Sequence, residues 1–376
     1  MKFGIYVHIP FCKKKCDYCD FLSAPATKEQ YLQYYRALML EIESYKGQVT
    51  DRQADSIFFG GGTPSILEAE WIEELLEKLK EIFLITPDAE VTLECNPGTL
   101  NLEKLIRYKK AGINRLSIGL QSAKENELKL LGRIHTWNEF LDNYILAREQ
   151  GFSNINVDLM SGIPAQTRKS FEQTLQKIVK LQPEHLSVYS LILEEGTPFY
   201  KRYAMKEKIM SEEADRNLYA DTERILKEYG YDRYEISNYA KKGYECRHNT
   251  KYWIRTDYLG LGLGAASLWK SMRFHNEKNL EQYIKFSYDF EKLHQNIEKL
   301  TKEDAMSETM FLGLRRMEGV SKQKFYESFH IKLEDIYKKT LQKMKECGCL
   351  EENEDYVWLT KRGIDVSNLV MCEFIL

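Results

Sequence analysis

The chain has 376 residues, 43% hydrophobic and 30% charged, a balance that excludes a disordered or fibrous protein and leaves enough apolar residues for a large core. Lys plus Arg number 54 against 57 Asp plus Glu, and the net charge of -3 gives no general pull toward nucleic acid or an anionic membrane. No apolar run reaches the roughly 18 residues of a spanning helix, the N-terminus does not read as a signal peptide, and the eight cysteines form no even framework, so the expected place is a reducing, cytoplasmic compartment.

In chain order, residues 3–9 read as the first buried strand. It runs into FCKKKCDYCDF, where Cys12, Cys16 and Cys19 are spaced C-x3-C-x2-C. A structural zinc site commonly takes four ligands. Here Cys95 is far away and no histidine follows closely. Three thiolates with no fourth partner suit a [4Fe–4S] cluster that keeps one iron open; a zinc knuckle or three unrelated thiols are the alternatives. The lysines between them, Lys13, Lys14 and Lys15, read first as a solvated loop and second as a positive field near the cluster.

Further strands are expected at 55–59, 90–95, 115–120, 154–160 and 185–193, with helices at 31–45, 66–83, 102–110, 137–149 and 170–181 between them. This alternation predicts an α/β fold, a partial (β/α)6 barrel with parallel strands. Polar groups gather where such strands end, the usual place for chemistry in β/α barrels. They are Gly60-Gly61-Gly62-Thr63-Pro64, Glu94 in LECNPG, Gln121 in SIGLQS and Asp158 in NVDLMSG. Glycines let a ligand approach the backbone, or simply make a tight turn. A carboxylate on a buried strand needs a partner, either a bound ligand or a neighbouring cation. Arg133 in LGRIH suits a carboxylate, or a helix end.

After about residue 194 the pattern changes: a loop, a helix at 212–229, then an irregular aromatic stretch ending in LGLGLGAASLW. Its GLGLGA run lacks the G-x-G-x-x-G spacing and reads as a turn packed near the ligand site. Helices at 302–317, 321–329 and 333–346 follow, then a two-stranded wing around 353–355 and a final helix, a C-terminal α+β winged-helix-like ending. The helix before the wing carries lysines and acids but no arginine, so packing is favoured over DNA binding and no nucleic-acid partner is expected.

YVHIPFC, GGGTP, LECNPG, SIGLQS, LGRIH and NVDLMSGIPAQT together resemble the radical S-adenosylmethionine (SAM) superfamily, in the branch of oxygen-independent coproporphyrinogen III oxidase and its relatives. In that superfamily the open iron chelates SAM, and the reduced cluster cleaves it to methionine and a 5′-deoxyadenosyl radical. The resemblance covers nearly the whole chain. It implies that Tyr6 lies beside the cluster and that Gly61, Gly62 and Thr63 contact SAM. It also implies that Glu94 holds the ribose and that Gln121, Arg133 and Asp158 complete the pocket. The decarboxylase has a further cysteine where this chain has Phe21. Phe21 and His248-Asn249-Thr250-Lys251-Tyr252-Trp253 are similar to the haem chaperone, HemW-like, branch, whose H-N-x-x-Y-W signature is linked to haem binding.

Read from the residues alone, His248 is a candidate axial ligand or a satisfied structural histidine. Tyr252 and Trp253 could cover a porphyrin face, and Cys246 is a competing thiolate. The resemblance tips this toward haem binding at His248, Asn249 and Tyr252. It implies haem-acceptor proteins as partners, and an electron donor if SAM is cleaved rather than only bound. A homodimer and peripheral membrane contact are both compatible with the sequence. The expected domains are a radical SAM core at 1–200, an extension carrying HNxxYW at 201–300 and the winged-helix-like domain at 301–376. A coproporphyrinogen decarboxylase is the alternative function, and Phe21 argues against it.

Overall fold

The computed structural model describes residues 2–204 and 210–376. Six strands stand side by side in chain order and pair in parallel: β1 (Lys2–Ile9), β2 (Gln53–Gly61), β3 (Ile85–Cys95), β4 (Arg115–Gln121), β5 (Ile155–Ser161) and β6 (His185–Ser190). Strand side chains alternate between two faces, and here the alternation sorts apolar from polar. Ile5, Val7 and Ile9 of β1, with Leu116, Ile118 and Leu120 of β4, enter the main hydrophobic core. Tyr6 of β1, with Arg115, Ser117, Gly119 and Gln121 of β4, line a cavity on the other face. Helices Lys28–Ser44, Ala69–Ile82, Leu102–Ala111, Trp137–Glu149 and Arg168–Val179 connect successive strands.

Local chemistry starts these helices where they start. Thr27 with Gln30, and Thr136 with Glu139, form reciprocal capping boxes, and Asn101 accepts from the Lys104 amide. The Ala69–Ile82 helix buries Ile72, Leu75, Leu76 and Leu79 completely. Each such side chain stabilises the packing by about 1.5–3 kcal/mol. The helix expected at 66–83 begins later, because Pro64–Ile66 first forms a 3-10 turn.

The segment 201–300 contributes six more strands among the described residues, four of them in the stretch read as irregular. They are β7 (Asp232–Arg233), β8 (Asn238–Ala240), β9 (Tyr258–Leu261), β10 (Ala266–Trp269), β11 (Met272–Asn276) and β12 (His294–Lys299). The resulting sheet has the order β12-β11-β10-β9-β1-β2-β3-β4-β5-β6-β8-β7 and is open. Strand β9 lies parallel to β1, while β8 closes against β6 antiparallel. The 201–300 segment therefore extends both edges of the sheet, and its Leu259, Leu261, Phe274, Tyr283 and Leu293 share the main core.

The GLGLGA run is half strand and half turn: β9 ends at Leu261, and Gly262 has φ +98°. A side chain at Gly262 would meet the Tyr34 hydroxyl at 2.5 Å. The turn is pinned by Glu41, which accepts from Gly262 N (2.9 Å), Asn276 Nδ2 (2.7 Å) and Tyr283 OH (2.5 Å).

The C-terminal part builds a second hydrophobic core around Met310, Leu314, Phe325, Leu341 and Val357. It carries a small sheet of β13 (Val320–Ser321), β14 (Leu350–Glu352) and β15 (Tyr356–Leu359) in the order β13-β15-β14. The turn between β14 and β15 is the expected wing, closed by Asn353 Oδ1 accepting from the Asp355 and Tyr356 amides. The helix expected to reach residue 317 stops at Gly313. The next residues bond to the barrel side instead, through Ile236 N to Arg315 O (3.1 Å) and Met317 N to Tyr234 O (3.0 Å).

Candidate functional site

One cavity of about 480 Å³ opens inside the curled parallel sheet, a size suited to one small-molecule ligand. Cys12, Cys16 and Cys19 line its mouth with Lys14, Lys15, Asp20 and Phe21. The loop is held to the strands below it. His8 bridges the Tyr6 hydroxyl (2.9 Å) and the Leu22 carbonyl (2.9 Å), and Gly62 N donates to Ile9 O (2.8 Å). Gly61 and Gly62 permit this closeness. A side chain at Gly61, where φ is +114°, would meet the His8 ring at 2.6 Å, and one at Gly62 would meet the Phe11 carbonyl at 2.5 Å.

Two of the thiols have donors aimed at them: Thr63 Oγ1 to Cys12 Sγ (3.6 Å) and Arg133 Nη1 to Cys16 Sγ (3.4 Å). Asn96 links those donors, giving Nδ2 to Thr63 Oγ1 (2.7 Å) and accepting Arg133 Nη2 on Oδ1 (2.7 Å). Arg133 also bonds the Gly119 carbonyl. It therefore neither caps a helix nor stands free; it braces the cysteine loop against β4. Asn96 sits in the LECNPG motif but was not singled out, because an asparagine before a proline reads first as a turn residue.

Glu94 and Asp158 face the same cavity. Glu94 Oε2 accepts from Gly61 N (3.1 Å). Burial, and then the charge of Asp158, push its carboxyl up to about 8. Asp158 accepts from Asn156 Nδ2 (2.7 Å) and Ser117 Oγ (3.4 Å); burial raises it, and these bonds and Arg115 oppose the rise. Gln121 ends β4 with φ +74°, where the pairing with β5 slips between Gly119 and Gln121. A left-handed non-glycine residue costs on the order of 1–3 kcal/mol and often marks a site, and alternation along β4 puts this side chain on the cavity face with Ser117 and Gly119.

The floor is formed by the HNxxYW segment of the 201–300 extension. The helix Arg247–Trp253 lies across the lower parts of β1–β3, and His248, Asn249 and Tyr252 line the cavity from beneath. Glu90 starts this helix by accepting the Arg247 amide (3.2 Å) and the His248 amide (3.2 Å). His248 is 1% exposed, and both ring nitrogens are engaged, Nδ1 with Ser56 Oγ (3.0 Å) and Nε2 with Tyr252 OH (2.8 Å). Burial, with Lys251 and Arg115 nearby, lowers it to about 3, so it is neutral. Cys246 is buried and donates to Glu90 (3.6 Å), and burial pushes its thiol up to about 12. Trp253 lies outside the cavity lining, with the Arg315 guanidinium 4.4 Å above its ring. The geometry is that of a satisfied aromatic cluster rather than a set of free iron ligands.

With the cavity described, comparison with known proteins is direct. Residues 6–178 match the Radical SAM superfamily and residues 300–366 the HemN C-terminal domain. Over 372 residues the chain is 34% identical to Heme chaperone HemW of Bacillus subtilis, covering 98% of each chain. The chain belongs to the HemW family. Heme chaperone HemW of Escherichia coli is 38% identical over 266 residues, 70% of this chain and 69% of that one. Among solved structures, coproporphyrinogen III oxidase (HemN) from Escherichia coli, described as a radical SAM enzyme, superposes with a TM-score of 0.87. It is 25% identical and covers 99% of this chain and 90% of that one.

Membership of the radical SAM superfamily implies a [4Fe–4S] cluster and SAM. Among the described residues no three His, Cys, Asp or Glu side chains converge on a point that could hold one metal ion. A cluster spreads its thiolates over separate irons and needs no such convergence. Three cysteines on one mouth, with Thr63 and Arg133 directed at sulfur, fit that demand. This HemW-family chain also holds a group that sequence reading missed. Arg115, 2% exposed at the start of β4, lines the cavity, and its Nε has no hydrogen-bond partner. Its signal was an arginine opening a buried strand.

Proposed function

We propose that the protein binds haem and delivers it to haem-requiring proteins, on a scaffold that carries a [4Fe–4S] cluster on Cys12, Cys16 and Cys19 and SAM in the cavity. The observation that carries this reading is the end-to-end similarity to proteins named Heme chaperone HemW. Phe21 supports it, since a phenyl ring at the cavity mouth can neither ligate metal nor move a proton.

In this reading Thr63 and Arg133 stabilise thiolate charge by donating to sulfur, and Asn96 fixes both donors. Glu94 and Asp158 receive the ribose and neighbouring polar groups, Gln121 and the Gly61–Gly62 turn shape the wall, and Tyr6 packs beneath the loop. When bound, the cluster and SAM supply one-electron reductive chemistry, which needs an external electron donor. The proposed compartment is the cytoplasm; no helix among the described residues is long and apolar enough to cross a membrane. The proposed domain division is 1–200, 201–300 and 301–376, with the middle part completing the sheet.

The test is an anaerobic reconstitution with iron and sulfide, followed by a haem titration. A saturable Soret change at about one haem per chain is expected. A second reading, oxidative decarboxylation of coproporphyrinogen III, draws on the likeness to HemN. Steady formation of protoporphyrinogen IX with SAM and a reductant would replace the chaperone reading with that one.

A further inference from the structure

The proposed haem-carrying function leaves open where haem sits, and the cavity narrows the answer. His248, Asn249 and Tyr252 form the floor of the same space whose walls carry Glu94, Gln121 and Asp158. A macrocycle seated on the floor would occupy the volume those wall residues offer to SAM. Neither nitrogen of His248 is free to meet an iron from above.

The mouth has a different character. Phe21 and Ile192 are 63% and 67% exposed and both line the cavity, with Leu22 beside Phe21, whereas the Tyr189 hydroxyl is buried against Ser187, near Asp158 and Glu94 of the wall. Phe21 and Ile192 come from two segments far apart in sequence, the end of the cysteine loop and the stretch just past β6. Large apolar side chains are usually withdrawn from water, and a cluster of them at a cavity edge marks a binding surface. The cations at this rim differ in their freedom. Lys13 Nζ is bonded to Gly98 O (3.0 Å) and Lys15 Nζ to Phe21 O (2.8 Å). Lys14, exposed on the same rim, makes no hydrogen bond or ion pair among the described residues. Asp20 and Glu194 also line the mouth, so a carboxylate ligand is admitted only on the lysine side.

We propose that haem binds at this rim, against Phe21 and Ile192, with a propionate on Lys14. The Phe21 ring offers a face to the porphyrin, the lysine pairs with the carboxylate, and the cavity below stays available to SAM. The proposal rests on the haem-carrying reading and gives Phe21 a positive role: it is an apolar contact where the decarboxylase pattern has a cysteine. A carrier that holds haem by its face and edge, without a buried histidine on iron, can release it to an acceptor.

The experiment titrates haem and haem dimethyl ester, followed at the Soret band, into reconstituted wild type, the Phe21→Asp/Ile192→Asp double variant, Lys14→Glu and His248→Phe. Retained cluster absorbance and melting temperature check that each variant folds; exposed positions tolerate such changes well. The double variant is expected to bind haem at least tenfold more weakly. Wild type is expected to prefer haem over its ester, and Lys14→Glu to lose that preference. A double variant that binds haem like wild type, with the loss confined to His248→Phe, would overturn the rim site and leave the haem-carrying function standing. Wild type that binds no haem would overturn the function itself.

Discussion

Glu94 and His248 are two cavity residues whose surroundings strongly alter their chemistry. Glu94 is raised to about 8 from an ordinary 4.5 by burial and by Asp158. The native state therefore holds a proton that the unfolded state releases, and the ligand-free protein should lose stability as pH rises from about 4.5 through 8. Denaturant midpoints measured across that range should show the decline, and Glu94→Gln should flatten it. The same substitution should weaken SAM binding by about 1–3 kcal/mol, because it removes an acceptor for buried hydroxyls. Unchanged affinity by calorimetry, with the cluster intact, would remove Glu94 from the pocket. His248 works with the opposite sign. Lowered to about 3 from 6.5, it binds fewer protons folded than unfolded, so its stabilisation is lost as pH falls from 6.5 toward 3. His248→Ala should cost about 2–4 kcal/mol, since it opens a void and leaves Ser56 and Tyr252 without their partner. A thermal melt within a degree of wild type would contradict this placement.

Two elements organise the cavity, the cysteine loop above and the Arg247–Trp253 helix below. The loop should lose all cluster absorbance when Cys12, Cys16 or Cys19 is changed to Ala. Cys95→Ala and Cys246→Ala should leave it, because both thiols are buried and held up at about 12. An equal loss in Cys95→Ala would end the three-thiolate assignment. The helix is short, and seven residues form no stable helix alone. It exists because Glu90 receives its first amides and because the polar chain Asp158–Asn156–His185–Tyr234 reaches the Cys246 amide. Glu90→Ala should cost about 1–2 kcal/mol. Amide exchange over 247–253 should then rise above that of the surrounding strands, and unchanged exchange would show that packing alone holds the helix.

At the scale of the whole molecule, two hydrophobic cores meet across a charged seam. Glu308 of the C-terminal part pairs with Arg255 (2.8 Å) and Arg273 (2.8 Å), both from the segment that extends the sheet. Arg315 covers Trp253 and reaches Glu235 (3.5 Å). The C-terminal core is thus fastened to the residue that ends the HNxxYW helix. Glu308→Ala leaves two arginines without their partner and should cost about 1–3 kcal/mol. Limited proteolysis should then release the segment after about residue 300 sooner than in wild type. Equal protection would mean that the seam does not hold the two parts together.

The sequence by itself determined the parallel strand–helix alternation, since strand and helix periodicities are local and long segments display them. It determined the family, since the cysteine spacing and the strand-end motifs are short contiguous strings. It also marked the wall residues Glu94, Gln121 and Asp158, because a polar group closing an apolar strand is visible in one dimension. Tertiary structure decided the rest. Strands β7–β12 have between two and six residues, too few to show a period, and they exist only through successive pairing outward from β1, by way of β9, and from β6, by way of β8. Asn96 and Arg115 acquire meaning only from what folding brings beside them. His248 shows the limit most clearly. Its sequence neighbours are aromatic and invite an iron, but its partners Ser56 and Glu90 come from strands more than 150 residues away, and hydrogen-bond satisfaction of a buried imidazole is a property of the folded chain alone.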